Sequence, residues 1–185
     1  MKIILIVLML LTMAACGQNT TQHESNIENL QLTEKDWKIL KNADYSIQYP
    51  PDWELNQSGQ MGTSFAIFSP LENDKDQFKE NVNLLIQDLT AYKLNLNKYV
   101  EISEEQVEKM ITNSALIESK RVKTEKGEYH KMIYTGEQGV FHLKFEQYFW
   151  IIDNKAFVLT FTSERDKFES FVAVGEKILN SFVVK

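Results

Sequence analysis

The chain has 185 residues, with 26 acidic against 20 basic side chains and a formal net charge of -6. That balance argues against nucleic acid and against broad contact with anionic headgroups. Less a leader of about 15 residues, the chain suits one domain plus a tether, and a domain near 150 residues buries about 70% of its unfolded surface, enough for a core without staples.

Residues 1–17 set the address. Lys2 precedes the apolar run Ile3–Leu11, and Ala14 and Ala15 stand directly before Cys16, the charged, apolar and small-residue order of a secretory signal. As a helix the run would rise only about 14 Å against a hydrocarbon core of about 30 Å, too short to span. The segment resembles the bacterial lipobox, in which the cysteine is lipidated and becomes the first mature residue. A plain cleaved secretory signal is the alternative, because Met13 replaces the leucine usual at that position. The lipobox resemblance implies a signal peptide over 1–15, lipidation of Cys16 and membrane lipid as the partner of the acylated residue. It places the protein in the bacterial cell envelope, extracytoplasmic and lipid-anchored, and on the outer membrane where the host has one, since Gly17 is not the aspartate of inner-membrane retention. Two or three acyl chains, at about 0.8 kcal/mol per buried methylene, hold where one would not. Cys16 is the sole cysteine, so its use for lipid leaves nothing for a disulfide, a thiol nucleophile or a metal thiolate.

Gln18–Gln31 is polar, with only Ile27 and Leu30 apolar, and cannot bury enough surface to fold on its own. It makes residues 16–32 a flexible tether, reaching roughly 20–25 Å as a coil. The folded domain is expected over 33–185. Asp36–Lys41 and Tyr45–Tyr49 read as strands around a turn at Asn42 and Ala43, although Thr33–Leu40 could instead begin a helix capped by Thr33. In the second strand Tyr45, Ile47 and Tyr49 share one face, and Pro50 and Pro51 must end it.

Thr63–Ser69 and Val82–Leu89 are further strands, the second apolar enough to lie inside the sheet. Between them Asp74 and Asp76 suggest calcium, but an EF-type loop would need an oxygen ligand at Phe78 and glycine at Lys79, so no metal is expected. Leu96–Ile111 is a helix with Asn95 as its cap and Tyr99, Val100 and Val107 in its apolar stripe. Leu116–Thr124, Glu128–Thr135, Val140–Ile152 and Ala156–Thr162 form an antiparallel meander joined by short turns. Lys120, Arg121, Lys123 and Lys126 read as charges guarding a sheet edge. Ser163–Ser181 closes the chain as a second amphipathic helix, with Ser163 as cap, Asp166 three residues on, and Gly175 where the helix approaches the sheet. The pattern is α+β, an antiparallel β-sheet meander flanked by helices.

Three stretches, YSIQYPPDWEL (Tyr45–Leu55), DQFKENVNLLIQDL (Asp76–Leu89) and ILNSFVV (Ile178–Val184), resemble PsbP-like domains. That family is named for an extrinsic subunit of photosystem II and also occurs in bacterial lipoproteins. The resemblance implies an α/β/α sandwich and non-catalytic extrinsic roles, and it transfers no residue-level site.

No GxSxG elbow, GxxxxGK[ST] loop, HExxH motif or Cys/His cluster occurs, so no catalytic residue and no cofactor are expected. On Val140–Ile152 one face is apolar through Phe141, Leu143, Phe145, Phe149 and Ile151. The other runs from His142, Lys144 and Glu146 to Tyr148, Trp150 and Ile152. If a three-residue turn sets the register, Gly136 opposes Val140 and His130 opposes Glu146. His130, His142, Lys144, Glu146 and Trp150 are therefore the candidate ligand or partner surface. The expected function is a membrane-tethered, non-catalytic binding or assembly-helper module, monomeric and acting on an unidentified envelope protein. An envelope enzyme or small-ligand binder using a pocket on the sheet is the alternative.

Overall fold

A computed structural model describes residues 36–125 and 127–185. The expected signal peptide, Cys16 and the tether lie outside the described residues, as does Lys126.

Among the described residues, ten strands and two α-helices follow one another. The strands are β1 (Lys38–Lys41), β2 (Tyr45–Tyr49), β3 (Glu54–Asn56), β4 (Thr63–Phe68) and β5 (Asn81–Asp88), then β6 (Thr112–Thr124), β7 (Gly127–Gln138), β8 (Phe141–Ile152), β9 (Lys155–Glu164) and β10 (Val183–Val184). Helix α1 (Leu96–Met110) precedes β6, and α2 (Phe168–Ser181) follows β9. Seven strands form one antiparallel sheet in the order β3-β4-β5-β9-β8-β7-β6, and β1-β2-β10 form a smaller one. The short turns of the meander force this antiparallel order, as the sequence implies.

The large sheet buries both of its faces. On β9, Phe157, Leu159 and Phe161 enter one core with Phe168, Ile178 and Leu179 of α2 and with Tyr45 and Ile47 of the small sheet. The alternate residues Ala156 and Val158 enter a second core with Tyr99 and Val107 of α1. The period of two along a strand thus feeds two layers of side chains, and a helix lies on each face. This is the α/β/α arrangement expected.

Local chemistry explains most of the boundaries. Asn42 accepts the N–H groups of Asp44 and Tyr45 through its side-chain oxygen, both at 2.9 Å, and so turns β1 into β2. The Asn95 side chain accepts the Lys98 N–H at 3.0 Å and starts α1. At Gly175 an added Cβ would lie 2.8 Å from three ring atoms of Phe161, so the absence of a side chain lets α2 sit directly on β9.

Two expectations are corrected. Ser163 does not cap α2: β9 continues to Glu164, paired with Leu143, and Ser163 is buried with its hydroxyl directed at Glu80 (3.4 Å) and at the Glu164 carbonyl (3.0 Å). The ladder to β8 outweighs the capping signal, and α2 begins at Phe168. The meander register also differs. His130 opposes Phe149, Glu146 opposes Ile133 and Gly136 opposes Leu143. β7 stays paired as far as Gln138↔Phe141, leaving only Gly139 and Val140 for the reversal, with Gly139 at φ 59°. A left-handed glycine permits this tighter turn, and an odd register shift exchanges the faces that meet.

Candidate functional site

The expected surface residues do not form one cluster. His130 points to the α1 face, where its Nε2 lies 2.6 Å from Ser119 Oγ, and Ser119 in turn donates to Glu104 of α1. Burial, with the nearby Arg121 guanidinium, pulls the imidazole below its ordinary pKa, so His130 is a neutral packing group at neutral pH. His142 stands exposed at the start of β8 with Nδ1 3.1 Å from its cross-strand partner Glu137.

Lys144, Glu146 and Trp150 do share the α2 face, but that face is occupied. The Lys144 ammonium lies 3.9 Å above the Phe168 ring and 3.2 Å from Glu169, both on α2. Trp150 packs against Tyr129 and Phe182, with ring centroids 5.4 and 5.3 Å away. Glu146 is fully buried and meets Lys131 Nζ at 2.6 Å, and the same ammonium reaches Glu176 of α2 at 3.0 Å. One lysine therefore ties the sheet to the helix. Burial raises the Glu146 carboxyl above its ordinary range, with Lys131 opposing that shift. Burial works against the charge on Lys131 in turn, but the two carboxylates outweigh it and keep the lysine protonated.

Asp76, weighed for calcium from sequence, is instead held by a lysine. Lys167 Nζ contacts Asp76 and Glu72 at 2.9 Å and Glu164 at 3.0 Å. Burial opposes the charge on Asp76, but Lys167 and the backbone N–H groups of Glu72 and Phe78 outweigh it and hold the carboxyl below its usual range. Among the described residues no group of three or more His, Cys, Asp or Glu side chains is placed to hold a metal ion. No described helix is long and apolar enough to cross a membrane.

The basic run occupies the position its charge suggests. β6 is an edge strand, and Lys120, Arg121 and Lys123 stand along it. Register shifts between Thr112 and Ala115 and between Leu116 and Glu118 bend that edge further out of line.

An open concavity lies elsewhere, between α2 and the small sheet. It has a volume of about 450 Å³ and is lined by Trp37 and Gln48 on one side and by Glu176, Lys177, Asn180 and Ser181 of α2 on the other. The Gln48 N–H donates to Ser181 Oγ at 2.9 Å, and that hydroxyl donates to the Ile178 carbonyl at 2.7 Å, fixing the groove floor. The Lys177 ammonium sits 4.7 Å over the Trp37 ring. Sequence reasoning did not assemble this site. Its only trace there is that Lys177, Asn180 and Ser181 recur on α2 opposite the apolar stripe.

These features define an α/β/α domain, and the comparisons assign its family. The family model described as PsbP-like protein matches residues 1–184, and the chain belongs to that family. Solved structures that share the fold include the following three. A Pseudomonas aeruginosa protein of unknown function, PA94, aligns with a TM-score of 0.58 at 12% identity, over 80% of this chain and 97% of that one. The cyanobacterial PsbP protein CyanoP of Synechocystis sp. PCC 6803 gives 0.57 at 14% identity, over 84% of this chain and 96% of its own. LpqN of Mycobacterium tuberculosis, described as involved in cell envelope biogenesis, gives 0.56 at 10% identity, covering 76% of this chain and 83% of that one. No curated protein matches the sequence significantly. At these identities the structural likeness establishes the fold alone.

Proposed function

We propose that this protein is a lipid-anchored, non-catalytic binding or assembly-helper module of the bacterial cell envelope. The order Lys2, Ile3–Leu11, Ala14-Ala15, Cys16 carries the reading, because it places one acylatable sulfur after a leader too short to span a membrane. The polar stretch after it serves as a tether, and the domain at its end presents a packed sheet. LpqN, a protein of similar fold, is described as involved in cell envelope biogenesis, which agrees with an envelope address.

Mass spectrometry of the protein purified from bacterial membranes tests this reading. An N-terminal peptide beginning at Cys16 and carrying a diacylglyceryl mass is expected, and Cys16→Ser should move the protein out of the membrane fraction. A bare Cys16 sulfur, or an uncleaved leader in the cytosol, would overturn the proposal. Crosslinking in intact envelopes should then return a reproducible protein neighbour.

A further inference from the structure

We infer that the groove between α2 and the small sheet is a saccharide-binding site, with a neutral, hydroxyl-rich glycan chain as the ligand class. Its volume of about 450 Å³ lies within the ~300–1,000 Å³ usual for small-ligand sites. The wall chemistry then selects the ligand.

Trp37 supplies a partly exposed indole. Trp37 also packs against the larger core, and the Lys177 ammonium lies 4.7 Å over its ring, so a ligand reaches the indole face by displacing that flexible, solvent-side lysine chain. A pyranose ring offers both C–H groups to pack on such a surface and hydroxyls around its rim. Gln48 and Asn180 are exposed, and their side-chain amides make no hydrogen bond among the described residues. Each amide carries donors and an acceptor side by side, the pairing that neighbouring hydroxyls or an acetamido group complement. Ala173, small and on the same helical stripe, also lines the groove.

Charge and backbone exclude the competing ligand classes. Glu176 and Lys177 line the groove together, and Glu176 is also shared with Lys131, so no strong field of one sign selects an anion or a cation. An extended peptide would need an open ladder edge, but β2 is the middle strand of its sheet and the Gln48 N–H is already given to Ser181. Recognition must come from side chains, as it does for sugars.

This inference goes beyond the tethering proposal and is independent of Cys16. The test titrates the full-length protein, purified in detergent, with chitotetraose, cellotetraose and an uncharged tetrapeptide, reading tryptophan emission and binding heat. A saturable response to either oligosaccharide is expected, and which one binds tells an acetamido from a plain hydroxyl preference. W37F should remove the emission change, while Q48A and N180A, both at exposed positions, should each weaken binding about five- to tenfold with an unchanged melting temperature. The inference is overturned if neither oligosaccharide produces heat at millimolar concentration. It is equally overturned if only the tetrapeptide binds, or if the two amide variants bind as tightly as the parent. Failure in this titration leaves the Cys16 mass measurement unaffected, so the two proposals fail separately.

Discussion

Replacing Lys131 by methionine isolates the energetics of the ion pair between sheet and helix. Glu146 is fully buried, its side chain showing 0% exposure, and Lys131, itself only 13% exposed, is 2.6 Å away. Methionine keeps much of the lysine stem's volume and removes the ammonium, so the packing changes little while Glu146 loses its compensating charge. Breaking a buried pair from one side costs about 3–5 kcal/mol. For a domain of this size, at ~2–4 °C per kcal/mol, the melting temperature should fall by roughly 6–20 °C at neutral pH. The deficit must also depend on pH, with a definite sign. The folded-state pKa of Glu146 lies above the ordinary 4.5. Its contribution to stability is therefore fully present below that value and is lost as pH rises through the folded pKa. Removing Lys131 pushes that folded pKa higher still, so K131M should recover stability on mild acidification more than the parent does. The double variant K131M/E146Q, with no charge left to bury, should regain most of the loss at pH 7. Differential scanning calorimetry of the three proteins between pH 5 and 8 provides the measurement. An equal K131M deficit at both ends of that range, or a double variant no better than the single, would refute this account.

Two other perturbations probe the fold from different sides. Gly175→Ala should destabilise the domain by up to about 2 kcal/mol by thermal melting, since a Cβ 2.8 Å from three Phe161 ring atoms calls for the upper part of the ~1–3 kcal/mol overpacking cost, against ~1 kcal/mol gained in helix propensity; a variant as stable as the parent would show that α2 has room to lift. Lys167→Ala should cost about 1–2 kcal/mol in urea unfolding, a value discounted because the lysine is 29% exposed and partly screened. The Asp76 pKa is depressed, so the stability it lends is present above its ordinary 3.8 and lost as pH falls through the folded value. The gap between parent and K167A should therefore close in acid, and a gap that persists there would exclude Asp76 as its source.

What could be read from sequence follows from the range of the interactions involved. The alternation on Val140–Ile152 places Leu143 and Phe145 on one face and Tyr148 on the other, and the structure buries those faces in separate cores. Asn95 caps α1 through a contact three residues away, close enough for local sequence to specify. Register was harder, because it hangs on whether Glu137 and Gln138 stay in the ladder, and that is decided by pairing with β8 rather than by their own propensities. Ser163 is a good helix cap in isolation, and only the partner strand and the buried Glu80 explain why it remains in β9. The groove joins residues 37 and 48 to residues 173–181, and no periodicity within one segment signals such a junction. Lys131 was equally hidden. Its two partners come from a neighbouring strand and a helix 45 residues on, and only the assembled sheet brings them to one ammonium.

The doubly buried sheet has a mechanical consequence. Because Phe157 and Val158, one peptide apart, are wedged into different layers, β9 cannot shift without disturbing both at once. Strain applied to either helix is thereby shared through a single backbone, and the molecule resists a pull at one end as a laminate does, by engaging every ply together rather than peeling them one after another.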